Sequence, residues 1–200
     1  MELKYICEIM VAKQRCFLAI DIDSDLIQNI VKVQEEFKNT NNNVKYVEEE
    51  NLHFTLKFFG DIDKDKIFEV KNCILKVLNE INFKDNFSNE ISIKGLGTFP
   101  NKNYMKVLWV GCENSEFITK LHDALDLEFK KIGFKLDKQF KTHITIGRIR
   151  NLKDKNEFKS KIKKLENFEI GNMNIEKISL KISELTPKGP IYSNIKVFEL

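Results

Sequence analysis

No apolar run in this chain approaches the roughly 18 residues that a helix needs to span a bilayer, so a helical membrane protein is not expected. The N-terminal MELKYICEIMVAKQ is mildly apolar, but Glu8 interrupts it and no small-residue cleavage site follows, which argues against a signal peptide. Close cysteine pairs are also missing. Cys7, Cys16, Cys73 and Cys112 are scattered without a C-x-x-C, so neither a disulfide framework nor a zinc site is indicated. Buried reduced thiols in a cytoplasmic protein are the expectation. A surplus of one charge is absent too: 33 basic residues face 30 acidic ones, for a net charge of +3. That is too mild to coat long duplex nucleic acid, though it leaves open a local basic cleft for a short anion. Linkers and low-complexity tracts are lacking, and histidine is scarce, at three.

What is present suits one domain with a substantial core: 200 residues, 42% apolar, with 16 phenylalanines. RCFLAIDI (15–22) reads as a buried strand that stops at Asp21, Asp23 and Ser24, where a helix over 25–38 begins. VKYVE and LHFTLKFFG follow as strands, then a helix over 63–80. EISIKGLGTF and MKVLWVGC flank Pro100-Asn101 as a hairpin. A helix over 115–132, the strand KTHITIGRI, a short Lys-rich helix over 154–165 and the strands IEKISLKISEL and IYSNIKVFEL complete the pattern. The scheme suggests two α+β halves of similar size.

Two of the three histidines stand in the same His-x-Thr frame, in LHFTLKF and THITIGR, 90 residues apart (143 − 53). In a strand, side chains two apart share a face. His53 and Thr55 therefore point one way while Leu52, Phe54 and Leu56 point into a core, and His143 and Thr145 repeat this against Ile144 and Ile146. A lone strand histidine is ordinarily structural; a matched pair with matched hydroxyls is harder to explain by packing. If the strands face each other across a cleft, one imidazole can take a proton while the other gives one. The threonines can then hydrogen-bond oxygens on which charge develops, as in-line displacement at phosphorus requires.

Arg148 suits a bidentate phosphate contact. Ideal alternation turns it to the core, but Gly147 would allow a bulge that re-aims it; a surface charge at a strand end fits as well. Neither motif contains an Asp, Glu or Cys, so a metal centre is a weak competitor and no metal or cofactor is expected. His122, on the 115–132 helix without a partner motif, reads as an ordinary helix residue.

NLHFTLKFFG and THITIGRIR resemble the paired motifs of the two-histidine phosphoesterase superfamily. With RCFLAIDI, GLGTFPN (95–101) and SELTPKGPIY (183–192), the chain looks like its RNA 2′,3′-cyclic phosphodiesterase family, historically named 2′-5′ RNA ligase, over residues 15–200. The resemblance implies a bilobal α+β fold with pseudo-two-fold symmetry, two antiparallel sheets lining a central cleft and helices outside. It implies one two-lobed domain across 1–200, with 1–14 as an extension, and a monomer without membrane attachment. The implied activity is metal-independent hydrolysis of an RNA terminal 2′,3′-cyclic phosphate to a 2′-phosphate, with His53, Thr55, His143 and Thr145 catalytic. Arg148 would help hold the phosphate. Phe58 matches an aromatic position near the nucleobase, and a core role fits its sequence equally. For hydrolysis His53 is proposed as the acid and His143 as the base, an order the sequence leaves open and one that reverses in the ligation direction. Competing expectations are a 2′-5′ RNA ligase acting on tRNA halves and a non-catalytic nucleotide- or RNA-binding module.

Overall fold

The computed structural model describes residues 13–80, 88–101, 103–187 and 189–200. Of the expected extension, residues 1–12 lie outside the described residues, and Gln14 already opens the first strand. In chain order the elements are β1 (Gln14–Asp21), α1 (Ser24–Lys38), β2 (Asn43–Tyr46), a 3₁₀ turn (Glu49–Asn51), β3 (His53–Ile62), α2 (Lys64–Glu80), β4 (Glu90–Asn101), β5 (Tyr104–Glu113), α3 (Glu116–Lys131), β6 (Ile144–Asn151), α4 (Lys155–Lys164), β7 (Glu169–Asn174), β8 (Lys177–Leu185) and β9 (Pro190–Glu199). The α+β class, the four helices and the antiparallel strands match the expectation. β7 and the 3₁₀ turn are additions. Gly171, Asn172 and Asn174 give β7 poor strand propensity, and its pairing along β4 holds it.

The strands run in the order β7-β4-β5-β6-β3-β1-β8-β9, with β2 added on β6, and every pairing is antiparallel. The two expected sheets are thus two four-strand groups of one open sheet, joined where β3 meets β6 at the single register pair Phe54 and Ile144. One group is β3-β1-β8-β9 and the other β6-β5-β4-β7. In each, the innermost strand is the one that a motif histidine opens or immediately precedes.

The helices cross between the groups. α1 follows β1 of the first group but packs on β6, β7 and α4 of the second. It buries Leu26, Ile30, Val33, Gln34 and Phe37 at helical spacing. The Gln34 amide donates to the Ile146 carbonyl at 2.9 Å, and Phe37 meets Phe158 of α4 at 4.8 Å. Replacing fully buried Phe37 by Ala would cost about 3–5 kcal/mol. Reciprocally, α3 follows β5 of the second group but packs on β3 and α2 of the first; Phe129 meets Phe59 edge-on at 4.9 Å. The helices after the two histidine strands open alike. The Asp63 carboxylate accepts the Lys66 N–H at 2.8 Å before α2, and the Asp154 carboxylate accepts the Glu157 N–H at 2.8 Å before α4. Such caps satisfy an orphan donor and contribute about 1 kcal/mol each.

With helices on one side of the sheet, the other side is left open around the β3–β6 junction. β1 shows why its sequence is apolar throughout. Cys16, Leu18 and Ile20 join the core beneath, while Phe17 and Ala19 are also buried. Among the described cysteines, Cys16 and Cys73 are buried and free, and Cys112 is free but half-buried. Burial pushes the Cys16 thiol up to about 11 and the Cys112 thiol up to about 12. No helix among the described residues is long and apolar enough to cross a membrane.

Candidate active site

His53 opens β3, and His143 stands one residue before β6. Extending the antiparallel register from Phe54 and Ile144 places His53 level with Thr145 and Thr55 level with His143. The pseudo-two-fold axis therefore passes through that apolar pair. The alternation read from sequence holds here: Phe54 and Ile144 are fully buried, and all four polar side chains are half-buried on the opposite face.

The two imidazoles are anchored identically. His53 Nδ1 lies 2.8 Å from the Asn51 carbonyl, and His143 Nδ1 lies 2.7 Å from the Lys141 carbonyl, in each case two residues upstream. A carbonyl only accepts, so Nδ1 carries the hydrogen and the neutral ring keeps its lone pair on Nε2. For His53 that lone pair accepts from the Thr55 hydroxyl at 2.9 Å.

Both rings sit between aromatic walls. Phe17 and Tyr192 flank His53 with centroids at 5.0 and 5.5 Å; Phe99 and Trp109 flank His143 at 4.9 and 6.4 Å. Burial disfavours the imidazolium and holds both pKa values below the ordinary 6.5. At His53 the Asn51 carbonyl and Asp21 oppose this, while Lys181 and His143 add to it. Asp21 pairs in register with His53 and is held by Lys181 at 2.8 Å and by the Ser179 hydroxyl at 2.9 Å. At His143 the Lys141 carbonyl opposes the lowering and the Lys141 ammonium deepens it. That ammonium lies 4.0 Å above the Trp109 ring.

Arg148 and Phe58 occupy the same place in their motifs, five residues past the histidine. In β3 the register steps from Thr55 to Lys57, leaving Leu56 unpaired; in β6 it steps from Thr145 to Gly147, leaving Ile146 unpaired. Each bulge reverses the alternation beyond it. Phe58 is consequently 67% exposed and meets Phe17 at 5.9 Å on the histidine face, so the alternative of a core role is excluded. Arg148 is exposed, and its charge acts on the Tyr192 phenol, whose pKa burial raises and Arg148 lowers. The structure thus brings all six sequence-selected residues to one open face. Sequence reasoning missed Phe17, Asp21, Tyr192, Phe99, Trp109 and Lys141, although RCFLAIDI, SELTPKGPIY and GLGTFPN drew attention to the stretches that hold the first four.

Two further features adjoin this face. A cavity of about 450 Å³ is lined by Trp109, Lys141, Thr142, Phe140, Gly95 and Ser115, among others, and so reaches the residue before His143. Below the sheet, His122 departs from its reading as an ordinary helix residue. It is 4% exposed, lies 3.2 Å from Asp137, and stacks flat on Phe140 at 3.8 Å. His122, Asp126 and Asp137 bring ligand atoms within 4.8 Å of one another, the spacing of a cation site, and the buried Lys57 ammonium is ion-paired there with Asp126 and Asp137.

Residues 16–200 match the family described as the AKAP7 2′5′ RNA ligase-like domain. A relative from Methanothermobacter thermautotrophicus named RNA 2′,3′-cyclic phosphodiesterase is 42% identical over 188 residues, covering 94% of this chain and all of that one. One of the same name from Methanocaldococcus jannaschii is 37% identical over 91% of this chain and 98% of its own. Among solved structures, TT0787 of Thermus thermophilus superposes with a TM-score of 0.73 at 22% identity, covering 93% of this chain and 97% of its own. E. coli LigT complexed with 3′-AMP does so with a TM-score of 0.70 at 18% identity, covering 94% and 98%.

Proposed function

The chain belongs to the AKAP7 2′5′ RNA ligase-like family and is a cyclic phosphodiesterase; from that premise we propose that His53 and His143 carry out the hydrolysis of an RNA terminal 2′,3′-cyclic phosphate. The observation that carries this reading is the matched anchoring of the two imidazoles. Each has Nδ1 tied to the carbonyl two residues before it, so each directs Nε2 to the reaction.

For hydrolysis we assign His53 as the acid and His143 as the base. Asp21, in register with His53, favours the imidazolium of that ring against burial and Lys181, whereas the Lys141 ammonium adds to burial in disfavouring that of His143. His143 Nε2 takes a proton from water as the water oxygen bonds to phosphorus. The bond from phosphorus to the 3′-oxygen breaks, and His53 Nε2–H protonates that oxygen, leaving a 2′-phosphomonoester. Protonated His53 no longer accepts from Thr55, which frees that hydroxyl, with Thr145, to donate to the non-bridging oxygens. Arg148 holds the phosphate and Phe58 offers its exposed ring to the terminal base. The reading includes a cytoplasmic monomer that needs no metal or cofactor and acts on RNA ends such as those of tRNA fragments.

The test is turnover of an oligoribonucleotide ending in a 2′,3′-cyclic phosphate, in EDTA, with the product end identified. A 2′-phosphate is expected, and His53→Ala and His143→Ala should each lower kcat by about 10²–10⁴-fold while still binding the oligonucleotide. Wild-type turnover by either variant, or activity restored only by metal, would overturn the assignment.

A further inference from the structure

Residues 133–143, between α3 and β6, adopt neither helix nor strand, yet this segment must present His143 and the carbonyl that fixes its tautomer. His53 has a local support for the same task. Its carbonyl partner Asn51 belongs to the 3₁₀ turn, and the Asn51 amide donates to the Pro190 carbonyl at 3.1 Å. The segment before His143 is held by side chains of α3 together with one from the other motif strand.

Lys57, four residues beyond His53, is turned beneath the sheet by the β3 bulge, and its side chain is 5% exposed. Its ammonium pairs with Asp126 of α3, lies 2.9 Å from Asp137, and donates to the Lys135 carbonyl at 2.8 Å. The second Asp126 oxygen accepts the Asp137 backbone N–H at 2.8 Å. The second Asp137 oxygen lies 3.2 Å from His122 Nε2, while His122 Nδ1 lies 3.0 Å from Asp123. The His122 ring is then stacked at 8° to Phe140, one residue before Lys141. The segment is pinned at residues 135, 137 and 140, and the next carbonyl along is the one that receives Nδ1–H of His143.

We propose that Lys57, Asp126, Asp137 and His122 form a positioning network through which the strand of the first histidine sets the tautomer and aim of the second. None of these groups touches the reacting atoms. A buried ion pair contributes little net stability over a well-packed apolar replacement, whereas it fixes the direction of the chain that carries its partners. The inference rests on His143 being a proton-transfer group.

The test uses Lys57→Met and Asp137→Asn, with ¹⁵N NMR of the three histidines and steady-state kinetics in parallel. At about pH 8, where imidazole is neutral, wild-type His143 and His53 should both show the Nδ1–H form. In the variants His143 should move toward a mixture with Nε2–H while His53 stays unchanged. A displacement of about 1 Å costs on the order of 10²-fold in rate, so kcat should fall about 10- to 100-fold with KM held within about twofold. Lys57→Met leaves Asp126 buried without its cation; should it not fold, Asp137→Asn decides alone, because that side chain is 39% exposed and Lys57 keeps Asp126. An unchanged His143 tautomer overturns the inference, whether or not kcat or Tm falls, since a merely structural role would lower Tm without it. Wild-type turnover by His143→Ala instead overturns the reading of the site, and the tautomer measurement still judges the network.

Discussion

A methyl group at Gly97 would strike the wall of the His143 side of the cleft. A Cβ built there would lie 2.0, 2.3 and 2.6 Å from three atoms of the Trp109 ring, against an ordinary contact of 3.4 Å or more. The indole would have to withdraw by at least 1.4 Å (3.4 − 2.0). Trp109 supports the Lys141 ammonium at 4.0 Å, and the Lys141 carbonyl holds His143. Gly97→Ala should therefore do two things. Overpacking of this kind costs about 1–3 kcal/mol, and at about 2 kcal/mol a chain of this size loses roughly 4–8 °C in Tm. Misplacement near 1 Å should lower kcat/KM by about 10- to 100-fold. Trp109 is the chain's single tryptophan, so its fluorescence reports the displacement directly. Gly111→Ala is the graded control: its Cβ would meet the Lys94 carbonyl at 3.0 Å and Trp109 at 3.3 Å, so smaller changes in both readouts are expected. If Gly97→Ala shifts the fluorescence yet keeps wild-type kcat/KM, the indole does not support the His143 side and the reasoning fails.

Three other outcomes are expected. Because burial lowers both imidazoles, the bell-shaped profile of kcat/KM should centre below pH 6.5; a monotonic profile, or a centre above 7, contradicts the paired assignment. The same shifts couple folding to pH. The unfolded chain binds protons first as pH falls through its ordinary histidine value, so this contribution is complete above about 6.5 and is lost as pH falls through the folded values. Urea titrations between about pH 7 and 5 should show a flatter slope in the double variant His53→Ala/His143→Ala, and equal slopes would refute it. Finally, Phe58→Ala should leave stability within about 0.5 kcal/mol, since the ring is 67% exposed. Loss of stacking worth about 1–3 kcal/mol per base should raise KM for a cyclic-phosphate RNA by roughly 5- to 150-fold; an unchanged KM places the base elsewhere.

How far the sequence could be read depended on whether a side chain's direction follows from local spacing. His53, Thr55, His143 and Thr145 obey strict alternation, and the structure puts them where alternation says. Arg148 was recoverable because Gly147 marks a bulge. The equivalent bulge at Leu56 carries no glycine, so the outward turn of Phe58 and the inward turn of Lys57 were not legible. His122 looked solitary because its partners, Asp137 and Phe140, lie on a segment without periodicity. The helices were readable as amphipathic pieces, but periodicity shows a helix which face to bury and never which strands to bury it on. The join of the two sheets through Phe54 and Ile144 was invisible for the same reason.

The crossing of α1 and α3 bears on how such a chain is made. Each strand group receives its cover from a helix that belongs, by chain order, to the other. Cut between α2 and β4, the first fragment would hold β1 and β3 without α3, and α1 without β6 and β7 to rest on. Neither fragment would keep these packing partners, so a single cooperative unfolding transition is the expected outcome for the chain, and two separable transitions in urea would refute it. The helices also pack on β3 and β6, the two strands that meet at the junction, so the spacing of the two histidines is tied to the packing of the whole chain.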